Sequence, residues 1–380
     1  MIRRAASSIL LTFGLTAIVG AATPRPAPLR APAVVTGEIE GAKFTLVRPV
    51  FWNRGVLLLA HGLRDESAPL VADLNPAHLA YHTLVEEGWI VAKTSYRRNG
   101  LIIRDAVADL VNLRAFVSKT YGEPQRVILE GDSMGGAIVT LIAEQFPEGF
   151  NGAVAVDAAL QVRERGDPLA FNLQPQLPLV FLSTQDEVAA PRRYLVAPLE
   201  RTVRPVLLTV AREGHVNVNQ RERLAAIRAL VSLIERRSVD LPRADGGPGF
   251  YDATQPVVPV TSQVRLLNEG GFEARVVEIT AGFGNLLINV QPSDMVVADI
   301  APGSWFELAA KDRTYRVLYG RDFTSVKRGE WVAFPNADGF FCVARNHDNA
   351  AATAGLKESD PLVIRRLAEQ PGAGSPSSAP

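Results

Sequence analysis

The amino-acid sequence predicts an α/β fold, a mostly parallel sheet with helices on both faces, followed by a smaller all-β unit. Three observations carry this. Up to about Arg237, short continuous apolar runs alternate with stretches of helical periodicity, the pattern of strands buried on both faces by crossover helices. Residues 239–259 are rich in Pro, Gly and Asp and read as a linker. Beyond it the period changes to short strands separated by turns, which describes a compact β-barrel or sandwich.

At 380 residues the chain has room for two ordinary domains. Lys+Arg (40) equals Asp+Glu (40), and no basic stripe or acidic tail stands out, which argues against nucleic acid as a partner. At the N-terminus, Arg3 and Arg4 precede an apolar run (9–19), and Gly20, Ala21 and Ala22 follow. This order reads as a secretory signal over 1–22, so the protein is expected to be exported, periplasmic or secreted. The run is short and interrupted for a bilayer span, so no stable membrane anchor is expected; an uncleaved anchor is the alternative. Residues 23–36 read as a Pro-rich tether. Cys342, the single cysteine, lies in an apolar run and reads as a core residue, so no internal disulfide supports the fold.

Taken in order, residues 38–47 alternate as an edge strand, and 56–60 form an apolar run bounded by the turn Asn53-Arg54-Gly55. Asn75-Pro76 opens a helix to about Glu87, and 89–94 make the next strand. Ala106, Leu110, Leu113 and Val117 share one face of a helix over 104–121, which Gly122 ends. Strands follow at 126–130, 152–156, 179–182 and 205–210, and a helix at about 220–237 closes the unit.

Between the strand at 126–130 and a helical run from Ala137 lies Gly131-x-Ser133-x-Gly135, a strand, tight turn and helix with a serine at its apex. Function in parallel sheets sits at the carboxyl ends of strands, so the polar residues after each apolar run are the candidates. Asp186 and Glu187 follow the 179–182 run, and His215 follows 206–210. A serine hydroxyl needs a base to become a nucleophile, and a histidine needs an acid to fix its tautomer. Ser133, His215 and Asp186 take these roles, with Glu187 and Asp157 as competing acids. His78 and His82, four apart, lack the sequence pattern of a metal site, and no metal or other cofactor is called for.

The order Ser133, Asp186, His215 with this strand-loop placement resembles the α/β-hydrolase superfamily over residues 37–238. The resemblance implies an α/β-hydrolase fold and a serine hydrolase that cleaves a small-molecule ester, with amide cleavage or an exopeptidase-like activity as alternatives. His61-Gly62-Leu63 matches the family's His-Gly loop, which implies that the amides of Leu63 and Met134 bind the oxyanion, with His61 structural. Arg97 and Arg98, also at a strand end, are candidates for an acidic substrate or for salt bridges to Asp65, Glu66 or Asp105.

In the second unit (260–367), Phe283-Gly284-Asn285 and Arg345-Asn346 occur in order, with a closing apolar strand after Asp360. These resemble the C-terminal β-domain of the S-adenosylmethionine hydrolases and adenosyl-halide synthases, implying a small β-barrel. There Phe283, Asn285, Arg345 and Asn346 fall on adenine-contacting positions, so purine binding is one reading and assembly as a homo-oligomer, a trimer in relatives, is the other. Thr280 and Ala337-Asp338 stand where that family holds the amino-acid end, and its catalytic domain has no counterpart in the sequence, so chemistry on S-adenosylmethionine is not expected. Residues 368–380 read as a disordered tail.

Overall fold

The computed structural model describes residues 31–164, 167–168, 170–280 and 282–367. The signal segment, residues 23–30 of the tether and the tail lie outside this range.

The first unit is a nine-stranded sheet. A hairpin of β1 (Ala33–Ile39) and β2 (Ala42–Arg48) leads in. Then come β3 (Gly55–Ala60), α1 (Leu79–Glu86), β4 (Ile90–Thr94), α2 (Ile103–Tyr121), β5 (Arg126–Asp132), α3 (Met134–Gln145) and β6 (Gly152–Val156). A small hairpin, β7 (Arg163–Glu164) and β8 (Asp167–Pro168), precedes β9 (Leu179–Thr184), α4 (Ala189–Val196), β10 (Val206–Val210), α5 (Gln220–Ile234) and β11 (Phe250–Asp252). The spatial order is β1-β2-β4-β3-β5-β6-β9-β10-β11, with β1, β2 and β4 joined antiparallel and the rest parallel.

Alternation within each strand builds two cores. Val56, Leu58, Val127, Leu129, Leu179 and Phe181 face α2 and α3. Leu57, Leu59, Ile128, Val180 and Leu182 face α1 and α5. Both faces of the central strands are therefore dry, which is why their sequences are continuously apolar.

Three expectations are corrected. The edge strand at 38–47 is two strands, because Glu40 and Gly41 adopt φ of 48° and 85° and turn the chain back; residues 33–36 of the expected tether belong to the first of them. The helix expected from Asn75 begins at Leu79, because Asn75 Oδ1 accepts the Ala77 amide (3.0 Å) and closes a local turn instead. The expected linker contains β11, whose Phe250 and Tyr251 are buried against the sheet edge.

The second unit contains β12 (Arg265–Leu266), β13 (Phe272–Ile279), β14 (Leu286–Ile288), α6 (Pro292–Val297), β15 (Trp305–Ala310), β16 (Arg313–Tyr319), β17 (Trp331–Pro335), β18 (Phe341–Arg345), α7 (Ala350–Ala354) and β19 (Pro361–Arg366). Pairing of β13 with β19 closes a seven-stranded barrel in the order β13-β14-β18-β17-β16-β15-β19, with β12 added beside β13. Phe272, Phe306, Phe341, Leu362 and Ile364 fill its interior. Closure removes the free strand edges that an open sheet of this size would expose.

Candidate active site

Ser133 is the single residue between β5 and α3, and its backbone sits at φ 54°, ψ −113°. A non-glycine residue held there stores strain of about 1–3 kcal/mol, which the surroundings must over-determine. They do. The Ser133 amide donates to Val156 O (2.9 Å), and its carbonyl accepts from Ala137 N (3.1 Å) and Ala159 N (3.0 Å). The glycines are there because nothing larger fits. A Cβ on Gly131 would stand 2.2 Å from Gly135 O, and one on Gly135 would stand 2.0 Å from Ala60 O. The turn is tight enough that strand, helix and the end of β3 touch through backbone alone.

His215 lies in the loop after β10 and reaches across it. Its Nε2 is 2.9 Å from Ser133 Oγ, and its Nδ1 is 3.0 Å from Glu187 Oε1. The acid expected on the ring, Asp186, is elsewhere: its Oδ2 accepts the Gly214 amide at 2.9 Å. The cause is the turn after β9. Glu187 N donates to Thr184 O (3.0 Å), so the two neighbouring acids diverge, and the longer side chain is the one on the imidazole. The other competitor, Asp157, is also occupied. It accepts the amides of Thr184 (2.9 Å) and Val216 (2.7 Å) and the Thr184 hydroxyl (3.1 Å). Burial pushes its carboxyl up to about 6, against the pull of these donors. Asp186 and Asp157 thus hold the amides on either side of His215, while Glu187 holds its ring. Further along, Arg212 donates to Asn217 O (2.8 Å) and Glu222 Oε2 (2.9 Å), and Asn219 caps α5 in a reciprocal box with Glu222.

The loop after β3 closes the other side. A Cβ on Gly62 would lie 3.4 Å from Ser133 Cβ, so this loop runs directly beside the serine. His61 supports it from beneath: its ring packs 4.0 Å from Tyr96, its Nε2 is 3.1 Å from Ser95 O, and Tyr96 Oη donates to His61 O (3.1 Å). Burial, with Arg64 and Lys93 nearby, lowers the His61 pKa to about 3 and keeps the ring neutral. Leu63 is the next residue in this loop, and Met134 opens α3 directly after Ser133.

Beneath the elbow lies a group absent from the sequence reading. Arg223 of α5, 7% exposed, donates to Glu130 Oε1 (2.6 Å) and to Asp132 Oδ1 (2.7 Å), the residues three and one before Ser133. Burial raises the Glu130 carboxyl, opposed by Arg223. No local spacing signals this pairing, because its partners are about ninety positions apart.

The remaining candidates divide. Arg97 makes a two-pronged contact with the carboxylate of Asp109 (2.9 and 2.6 Å), and Arg98 donates to Asp105 (2.8 Å). Both guanidinium groups are thereby committed to carboxylates of α2. In the barrel, Arg345 donates to Gly329 O (3.1 Å) and Thr353 Oγ1 (2.8 Å), and Asn346 Nδ2 to Val326 O (2.8 Å), so both hold loops in place. Phe283 is partly exposed, and Asn285 is buried next to it. His78 meets Glu278 and the exposed His82 meets Glu86; among the described residues no group of three could hold a metal.

Residues 53–195 match the family described as serine aminopeptidase, S33, and residues 275–363 match the C-terminal domain family of SAM hydroxide adenosyltransferase. The first domain is an α/β-hydrolase, joined to a barrel of the adenosyltransferase C-terminal type. An o-phthalyl amidase from Xanthobacter agilis is 31% identical over 123 residues, which cover 31% of this chain and 25% of that protein. The chain thus spans a quarter of this curated relative. Among solved structures, the acylaminoacyl peptidase of Pyrococcus horikoshii is 13% identical, covering 57% of this chain and 43% of its own, with a TM-score of 0.40. An uncharacterized conserved protein from Thermotoga maritima is 21% identical over 29% of this chain and 41% of its own, with a TM-score of 0.26.

In this α/β-hydrolase a hydroxyl, an imidazole and a carboxylate lie in series at the carboxyl end of the sheet. Such a chain can move a proton from Oγ to Nε2 while Glu187 stabilises the imidazolium. A surface hollow of about 380 Å³ elsewhere on the domain is lined by Arg221, Leu224, Arg228 and Asp240, away from Ser133.

Proposed function

We propose that the protein is an exported serine hydrolase that cleaves an ester or an amide through an acyl-enzyme on Ser133. The observation that carries this reading is His215 Nε2 at 2.9 Å from the Oγ of a serine held at φ 54°. Attack on a carbonyl transfers the serine proton to His215, which then delivers it to the departing alkoxide or amine. Glu187 orients the ring, and the Leu63 and Met134 amides receive the oxyanion. Water, deprotonated by the same imidazole, releases the acid and restores the serine. The serine aminopeptidase profile and the amidase relative extend the reading to amides.

The test is labelling with a fluorophosphonate probe, followed by turnover of a matched pair of nitrophenyl ester and nitroanilide. Labelling at Ser133 that is lost in Ser133→Ala, with turnover of either substrate, is the expected result. A folded protein that neither labels nor turns over either substrate removes the reading.

A further inference from the structure

Among the described residues the barrel meets the hydrolase domain at Asn75 and His78, at Glu213, at Gln220 and at Arg64, and topology puts these at one end of the hydrolase sheet. Glu278 Oε2, at the end of β13, accepts from Asn75 Nδ2 (2.9 Å) and lies 3.4 Å from His78 Nε2, just before α1. Arg321, after β16, donates to Glu213 (3.1 Å), two residues before His215. Asp338, in the β17–β18 turn, accepts the Gln220 amide (2.8 Å) at the start of α5. Gly282 packs against Arg64: a Cβ there would stand 3.5 Å from Arg64 Nε. Residues 64, 75 and 78 follow β3 and precede α1, and residues 213 and 220 follow β10 and precede or open α5. In a right-handed parallel sheet these segments lie at the carboxyl edge, where Ser133 is.

At the Arg64–Gly282 contact a large apolar side chain remains open on each side of the seam. Leu63 is 47% exposed and Phe283 is 38% exposed, and each is the chain neighbour of a residue in the Arg64–Gly282 contact. Leu63 also carries one of the amides assigned to the oxyanion. Apolar side chains at the seam, together with the polar pairs Arg321–Glu213 and Asn75–Glu278 that also join the two domains, are the mixture of groups from which binding clefts are built.

We propose that the barrel forms one wall of the substrate cleft, and that Phe283 and Leu63 together receive an aryl or alkyl substituent of the substrate. This rests on the serine hydrolase reading. It makes Phe283 a specificity-determining residue that acts on the substrate of the other domain.

The test uses the full chain and nitrophenyl esters of acetic, hexanoic and benzoic acids. Phe283→Ser removes the aryl face, and Gly282→Phe, whose Cβ has ordinary contact room, fills the seam. Either variant should lower kcat/KM for the hexanoyl or benzoyl ester about tenfold more than for the acetyl ester. Fluorophosphonate labelling of Ser133 is measured in parallel, and thermal unfolding checks the fold. Labelled, folded variants whose ester ratios stay within about twofold of the parent overturn the cleft assignment and leave the hydrolase reading standing. A folded parent protein that neither labels nor turns over any of the esters overturns both.

Discussion

Glu187 Oε1 lies 3.0 Å from His215 Nδ1, while the adjacent Asp186 takes the Gly214 amide at 2.9 Å. One acid addresses the imidazole and the other the loop that carries it. Replacing Glu187 by Gln leaves the ring without an anionic partner and allows the wrong tautomer. We expect a loss in kcat on the order of a thousandfold, near the range seen when a triad acid is made neutral. Asp186→Asn keeps an acceptor for Gly214 and should cost about tenfold or less, the scale of one weakened hydrogen bond. Steady-state kinetics on the two variants decides it, and the reverse ranking would return the role to Asp186.

Asp157 sets a pH dependence on stability. Its carboxyl is pushed up from 3.8 to about 6 by burial, so between these values the native state binds more protons than the unfolded chain. Stability therefore falls as pH rises through this window, by about 2–3 kcal/mol in all from this group. Urea unfolding of the parent and Asp157→Asn at a series of pH values should show this slope in the parent and its loss in the variant. Equal slopes would contradict the assignment.

The buried Arg223 balances Glu130 under the elbow. Arg223→Met leaves that carboxylate without its cation and should cost about 3–5 kcal/mol. Removing Glu130 as well, in Arg223→Met/Glu130→Leu, should recover part of the loss. A single-variant cost below about 1 kcal/mol would show that the pair contributes little.

Gly135→Ala places a methyl 2.0 Å from Ala60 O, a backbone atom that cannot give way. We expect loss of the folded protein or destabilisation of about 3 kcal/mol or more, at or beyond the upper end of what overpacking a core typically costs. Circular dichroism and thermal unfolding report it; a stable variant with the parent's melting temperature would be incompatible with the turn.

The parallel sheet was legible because its strands are buried on both faces, which writes them as continuous apolar runs. The elbow was legible for a different reason: backbone contact at Gly131 and Gly135 forces glycine at fixed spacing around Ser133. The choice of acid was not. Asp186 and Glu187 are adjacent and chemically alike, and only the turn geometry after β9 separates their directions. For the arginine pair the salt-bridge reading was the legible one: Arg98 meets Asp105, a partner named from the sequence, whereas Arg97 meets Asp109, one helical turn further along α2. The Arg223 pair left no pattern, because tertiary packing brings its members together. In the barrel, β15 carries a readable alternation, with Phe306, Leu308 and Ala310 buried and the residues between them less so. The contact of the barrel with the carboxyl edge of the sheet is a property of two folded domains, and no motif in either announces it.

The central claim is that a substrate's acyl group passes through Ser133 Oγ. The direct measurement is intact-protein mass spectrometry after rapid mixing with a nitrophenyl ester and acid quench, followed by peptide mapping. The account predicts a mass gain equal to one acyl group, located on the peptide containing Ser133 and absent in Ser133→Ala. Nitrophenol release with no adduct on Ser133, or with undiminished rate in Ser133→Ala, would contradict it.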